Sequence, residues 1–200
     1  MSGTSSKTTD RARYEFRVWG DYPKVIRKLA RLASDETTEE VEDCYLLGHG
    51  RKWNAKVRDS TLKVKRLLER ERGFDRWDAN WHRSADSVPS PFDEVFDDLS
   101  LDRPQRGKKY NLSKAVSALE EDGSTRAVFV TKRRRRFQLG EVRGEIAQLD
   151  IHDTSIRLQS IAIEGEDLDE LVALRRKLGL KGHDNVAMHV AIDESLAIAS

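Results

Sequence analysis

Between Arg13 and Gly20 the chain alternates. Tyr14, Phe16 and Val18 fall on one face, and Arg13, Glu15, Arg17 and Trp19 on the other. A period of two predicts a strand. Asp21 then stands where an N-cap belongs and Pro23 in the first turn, and Val25, Ile26, Leu29 and Leu32 recur at helical spacing up to about Ala33. Thr37 to Leu47 is read as a second strand, although periodicity alone leaves helix and strand open.

Trp53 to Leu68 is the most informative stretch. Ala55, Val57, Leu62 and Val64 alternate with Asn54, Lys56, Arg58, Lys63 and Lys65, and Asp59-Ser60 lies between the two runs. A two-residue turn there makes a hairpin that sets Lys56 opposite Lys63, Asn54 opposite Lys65 and Arg58 opposite Thr61. Its basic residues then share one face.

From Arg83 to Asn111 the pattern breaks into loops around Pro89, Pro91 and Pro104, with a short acidic helix from Ser90-Pro91 to Leu99. A further helix is expected over 112–121, ending before Gly123. Strands follow over 127–138, 141–151 and 155–164, then an amphipathic helix from Asp167 to Leu178 closed by Gly179. Asn185 to Ile192 reads as a last strand. Strands at both ends and in the middle, with helices between, predict a mainly antiparallel α+β fold.

Composition narrows the partners. The 200 residues carry 36 Lys and Arg against 35 Asp and Glu, a formal charge of +1, so no global basic excess marks a dedicated nucleic-acid binder. A basic site must be local and balanced by acid elsewhere. The single cysteine, Cys44, excludes an intramolecular disulfide framework and a Cys-rich zinc site. No apolar run approaches the roughly 20 residues that span a bilayer, and the opening MSGTSSKTTDR lacks a signal-peptide core. The expectation is a cytoplasmic protein that does not enter membranes.

Like charges directly opposed across two strands repel. Lys56 opposite Lys63, beside Arg58 and Lys65, is therefore unfavourable unless solvent or an anion relieves it. The strand VTKRRRRF adds Lys132, Arg134 and Arg136 on one face and Arg133 and Arg135 on the other. Such charge runs are often solvated faces. The apolar faces need cover, however, and the amphipathic helices can supply it. A sheet with helices outside and charges within closes into a barrel with a polar, ligand-holding interior.

YEFRVWG, the basic hairpin NAKVRDSTLKVK, Lys132 and Arg134, the strand ending AIEGED and the late LRRKLGL helix occur in one order. Over about residues 12–193 that order resembles the CYTH superfamily, the triphosphate tunnel metalloenzymes. The resemblance implies an antiparallel eight-stranded β-barrel, or tunnel, with helices packed outside. Residues 13–193 would form it, with a flexible N-terminal tail over 1–12 and a C-terminal tail over 194–200. Relatives include triphosphatases for inorganic triphosphate, thiamine triphosphate and RNA ends, and one class of adenylate cyclase.

By that resemblance Arg17, Lys56, Arg58, Lys63, Lys65, Lys132, Arg134 and Arg136 bind phosphate oxygens of a triphosphate or polyphosphate compound. Glu15, Glu145 and Glu164 hold Mg²⁺ or Mn²⁺, and Glu15, Glu164 and Arg17 are the catalytic candidates. A two-residue turn at Asp153-Thr154 sets Glu145 opposite Ala162 on the face of Glu164; a one-residue change in it brings in Asp150 instead. The family opens with E-x-E-x-K, whereas this chain has Arg13, Glu15 and Arg17, and the later E-x-E reads Ala162, Ile163, Glu164. Two readings therefore stand: a metal-assisted triphosphate hydrolase, and a non-catalytic phosphate or nucleotide-binding module in the same tunnel.

The remaining candidates read as structural. His152 and His183 fall in turns, His189 is a lone histidine that could point inward, and Cys44 has no adjacent base. Trp53, Trp77 and Trp81 are core candidates before they are stacking platforms.

Overall fold

In the computed structural model the alternation at the start of the chain becomes strand β1, Arg13–Trp19, with Phe16 and Val18 buried. Helix α1, Pro23–Leu32, follows with Pro at its first turn and Val25 and Leu29 buried. Strands β2 (Asp35–Leu47), β3 (Trp53–Arg58), β4 (Thr61–Glu71) and β5 (Phe74–Ser84) come next. After them stand β6 (Arg126–Leu139), β7 (Val142–Ile151), β8 (Arg157–Gly165) and the helices α2 (Leu168–Leu178) and α3 (Met188–Ala199). The structure describes residues 12–48, 51–59, 61–84, 117 and 125–199, and for residues 62 and 79–84 the backbone alone. The helices expected over 90–99 and 112–121 lie outside the described residues, apart from Ser117, which is helical.

The eight strands close into a barrel in the order β1-β5-β4-β3-β2-β6-β7-β8, and every pairing is antiparallel. Local register follows the turns. Asp59 takes a positive φ of 49° at the β3–β4 turn, as tight hairpin turns demand. Lys56 accordingly opposes Lys63, Asn54 opposes Lys65 and Arg58 opposes Thr61. Glu145 opposes Ala162, which resolves the choice at that strand, because Asp150 falls on the outer face between Arg133 and Arg157, at 3.3 and 3.0 Å.

The outside of one wall carries the main core. Phe16, Val18, Phe74, Phe137, Ile146, Ile161 and Ile163 pack with Val25 and Leu29 of α1 and with Leu171 and Leu178 of α2. The Asp167 carboxylate caps α2 by accepting from the backbone N–H groups of Asp169 and Glu170. Gly179, at φ 85°, ends it in the left-handed conformation that a side chain would strain.

The C-terminal segment differs from its sequence reading. Asn185 to Ile192 was expected as a strand, but Met188 begins a helix that runs to Ala199, through residues 194–199 where a tail was expected. The run VAMHVAI has no alternation, and a short unbroken apolar run fits helix and strand equally. Met188, Ile192 and Leu196, four residues apart, supply the helical answer. They pack with Tyr45, Leu47, Val128, Val130, Ala147, Leu149 and Ile151, the inward residues of one half of the barrel. Only residues 185–186 lie along a strand: the Arg17 N–H donates to Asn185 Oδ1 at 2.7 Å, and the Val186 N–H to Arg17 O at 3.0 Å. The eighth strand is β5 instead. Helix α3 thus fills one half of the barrel interior and leaves the other half open as a cup. None of the described helices is long and apolar enough to cross a membrane.

Candidate functional site

The open half is a cavity of about 590 Å³. Ten basic side chains line it against four carboxylates. The ten include all eight expected phosphate ligands: Arg17 from β1, Lys56 and Arg58 from β3, Lys63 and Lys65 from β4, and Lys132, Arg134 and Arg136 from β6. Glu15, Glu145 and Glu164 line it too. The alternation of β1, β3 and β4 therefore carried the placement of the residues on those strands. Arg133 and Arg135 point outward to Glu40 and Glu36, at 2.6 and 2.8 Å.

Acid partners sit among the cations. Arg17 donates to Glu15 Oε1 and Glu145 Oε1, both at 3.0 Å, and to Ser160 Oγ at 2.8 Å. Glu145 also receives Lys132 at 3.2 Å and Arg134 at 3.5 Å. Glu39 takes Arg134 at 2.5 Å and Arg136 at 2.8 Å. Lys65 lies 3.6 Å from Glu15, and Glu164 stands 3.8 Å from Arg13 and 3.7 Å from Arg143. Asp43, fully buried, accepts from Arg58 Nε and Nη2 at 2.5 and 2.6 Å and from Lys56 Nζ at 3.0 Å.

These neighbours set the charge states. Burial opposes ionisation of Glu15, but Arg17 and Lys65 outweigh it and hold the carboxyl at about 2. Asp43 also sits at about 2: burial is overcome by the Arg58 hydrogen bonds and by Lys56. Glu145 is driven well below the usual carboxylate range, because Lys132, Arg17 and Arg134 together overcome its burial. Burial brings the Lys132 ammonium down to about 8 although Glu145 opposes the shift. Lys56 falls well below the lysine range through burial and the nearby Lys132.

Sequence reasoning missed Asp43, Glu39 and Arg143. The signal was available: Glu39, Val41, Asp43 and Tyr45 alternate in β2, and Arg143 lies two residues before Glu145. Among the minor candidates, His189 is buried on α3 edge-on to Trp77, with ring centroids 6.0 Å apart, and Cys44 lies half-buried on the outer face of β2.

The donor arrangement does not suit a resident metal. Among the described residues no three carboxylate, histidine or cysteine side chains converge on a point. Arg17 stands between Glu15 and Glu145 and donates to both, so a cationic guanidinium occupies the space a divalent ion would share.

Comparison with solved structures places this architecture. An adenylate cyclase-like protein of Bacillus halodurans aligns with a TM-score of 0.52 at 10% identity, over 87% of this chain and 91% of that one. An adenylyl cyclase-like protein of Hippeastrum, with a dominant triphosphatase activity, gives 0.49 at 12% identity over 92% and 96%. No protein-family model and no curated protein matches the sequence. The chain shares the fold of the Bacillus halodurans protein, here an eight-stranded antiparallel closed barrel.

Proposed function

We propose that the barrel cup binds the triphosphate or polyphosphate group of a small molecule. The observation that carries this reading is the excess of cations on the cavity wall, ten against four, in a cup where Asp43 and Glu39 add counter-charge from β2. Phosphate oxygens match this wall chemically: guanidinium groups meet them in bidentate pairs, and ammonium groups act as point charges. The wall cations line one inward-facing cup. A nucleoside triphosphate, the substrate of an adenylate cyclase, carries the same group.

In this account phosphate exchanges with the carboxylates already present. Arg17, Lys132 and Arg134 leave Glu145 in part, and Arg136 leaves Glu39, to meet ligand oxygens. Lys63 and Lys65 face them from β4, with Lys56 and Arg58 deeper on β3.

A second reading rests on one observation, that Glu15 and Glu164 oppose each other directly across β1 and β8 on the inward face. Were Mg²⁺ or Mn²⁺ to arrive with the triphosphate, Glu15 and Glu164 would hold it once Arg17 turns from Glu15 to the phosphate, and the ion would supply Lewis-acid polarisation, with Glu15, Glu164 and Arg17 as catalytic residues. Phosphate release from a panel of triphosphates, with Mg²⁺, Mn²⁺ or EDTA, separates the two. The binding reading expects saturable binding in EDTA and no release; the hydrolase reading expects metal-dependent release that Glu15→Gln abolishes.

A further inference from the structure

Asp43 lies where the charged cup meets its apolar floor. It opposes Val130 across β2 and β6, and its carboxylate meets Arg58 of the neighbouring β3. Two residues on, Tyr45 donates from its hydroxyl to Sδ of Met188, the first residue of α3, at 2.9 Å. The Asp43 side chain is wholly shielded from solvent, whereas the Lys56 and Arg58 side chains keep 18% and 8% exposure. Asp43 therefore holds these two cations from beneath. Asp43 takes the Nε–Nη2 edge of the Arg58 guanidinium, the bidentate geometry by which arginine would otherwise grip a phosphate. On the outer wall Glu145 is shared among Arg17, Lys132 and Arg134, with Glu15 and Glu39 as further partners, and all three of these acids are more exposed than Asp43.

We propose that Asp43 is a specificity-determining residue that limits how many phosphate groups the cup accepts, by withholding Arg58 and Lys56 at its floor from the ligand. The inference rests on the phosphate-binding reading above. A chain entering from the mouth meets Arg136, Arg134, Lys132 and Arg17 first. A further phosphate group reaching the floor meets Arg58 already paired and a buried carboxylate behind it. Removing that charge while keeping its shape frees the Arg58 guanidinium, and releases Lys56 from its hydrogen bond, at the depth of the additional group.

The test titrates sodium pyrophosphate, tripolyphosphate and tetrapolyphosphate calorimetrically into wild-type protein and Asp43→Asn, in EDTA. The ratio of tripolyphosphate to tetrapolyphosphate dissociation constants is expected to rise at least about tenfold in Asp43→Asn, since charge-assisted contacts are gained at the floor. Pyrophosphate affinity should change much less. Equal tightening for all three chain lengths overturns the proposal, because it reports added charge alone; an unchanged ratio overturns it as well. Asp43→Asn also places an uncompensated pair of cations in the core, so its melting is followed with and without saturating tetrapolyphosphate. Recovery of folding by tetrapolyphosphate, more than by pyrophosphate, supports the proposal. Failure to fold even when saturated contradicts it, since phosphate then cannot replace the carboxylate. If wild-type protein binds none of the three anions, the binding reading itself falls, a result distinct from all of these.

Discussion

Arg17 and Glu145 meet at 3.0 Å although their strands are not neighbours. The residue between them in register is Ala162, which opposes Glu145 on one side and Arg17 on the other. Its methyl group leaves the space through which the guanidinium reaches the carboxylate. Ala162 thus leaves room for a bridge between a cation and an acid. Ala162→Glu places a further acid there, competes for Arg17 and should weaken tripolyphosphate binding at least about tenfold by calorimetry. An unchanged affinity would mean that Arg17 does not contact the ligand.

Glu145 is the counter-ion on which three cations converge. Glu145→Gln leaves Arg17, Lys132 and Arg134 partly unpaired in a buried site, and should cost roughly 3–5 kcal/mol of apo stability. Tripolyphosphate supplies the missing charge, so the rise in melting temperature on adding it should exceed that of wild type. A variant as stable as wild type, with the same ligand-induced shift, would contradict this role.

Lys63 opposes Lys56, and among the described residues no carboxylate pairs with it. Lys63→Ala should leave apo stability unchanged or raise it by up to about 1 kcal/mol, as cross-strand repulsion is relieved. Tripolyphosphate binding should weaken about tenfold or more. Thermal melts and calorimetry on the same preparation check both halves; a clear loss of apo stability at unchanged affinity would mark Lys63 as structural.

The pH dependence follows from the buried charges. Lys132 in the folded protein titrates at about 8 rather than the ordinary 10.5, so between these values the unfolded chain binds more protons and stability rises with pH on this account. Phosphate binding runs the other way, because it favours the protonated ammonium, and should weaken as pH rises through about 8. On the acid side Glu15 and Asp43 titrate at about 2 against ordinary values of 4.5 and 3.8. Their contribution is present above those ordinary values and is lost as pH falls toward 2. Melting and calorimetric titrations across the pH range test both signs.

How far the site was legible depended on alternation. β1 and the β3–β4 hairpin alternate cleanly, so a period of two put their cations on the inward face, and the Asp153-Thr154 turn put Glu145 beside Glu164 in face. In β6 basic residues fall on both faces, and the resemblance rather than the period singled out Lys132, Arg134 and Arg136. β2 was readable as a strand, but its acidic run obscured which residues faced inward, and Asp43 and Glu39 went unnoticed. That matters chemically, because these acids hold cations that the sequence presents as free for phosphate. The segment from Asn185 onward had no period to read, and its helical state is decided by packing against inward residues from β2, β6 and β7.

The account turns on whether the inward cations form an anion site. Isothermal titration of sodium tripolyphosphate into the full chain in EDTA, comparing wild type with Lys132→Gln, addresses this most directly. The expected result is saturable one-to-one binding that weakens at least about tenfold in the variant and fades as salt is raised. Absence of binding by a folded wild-type protein, or an affinity indifferent to Lys132, would contradict it.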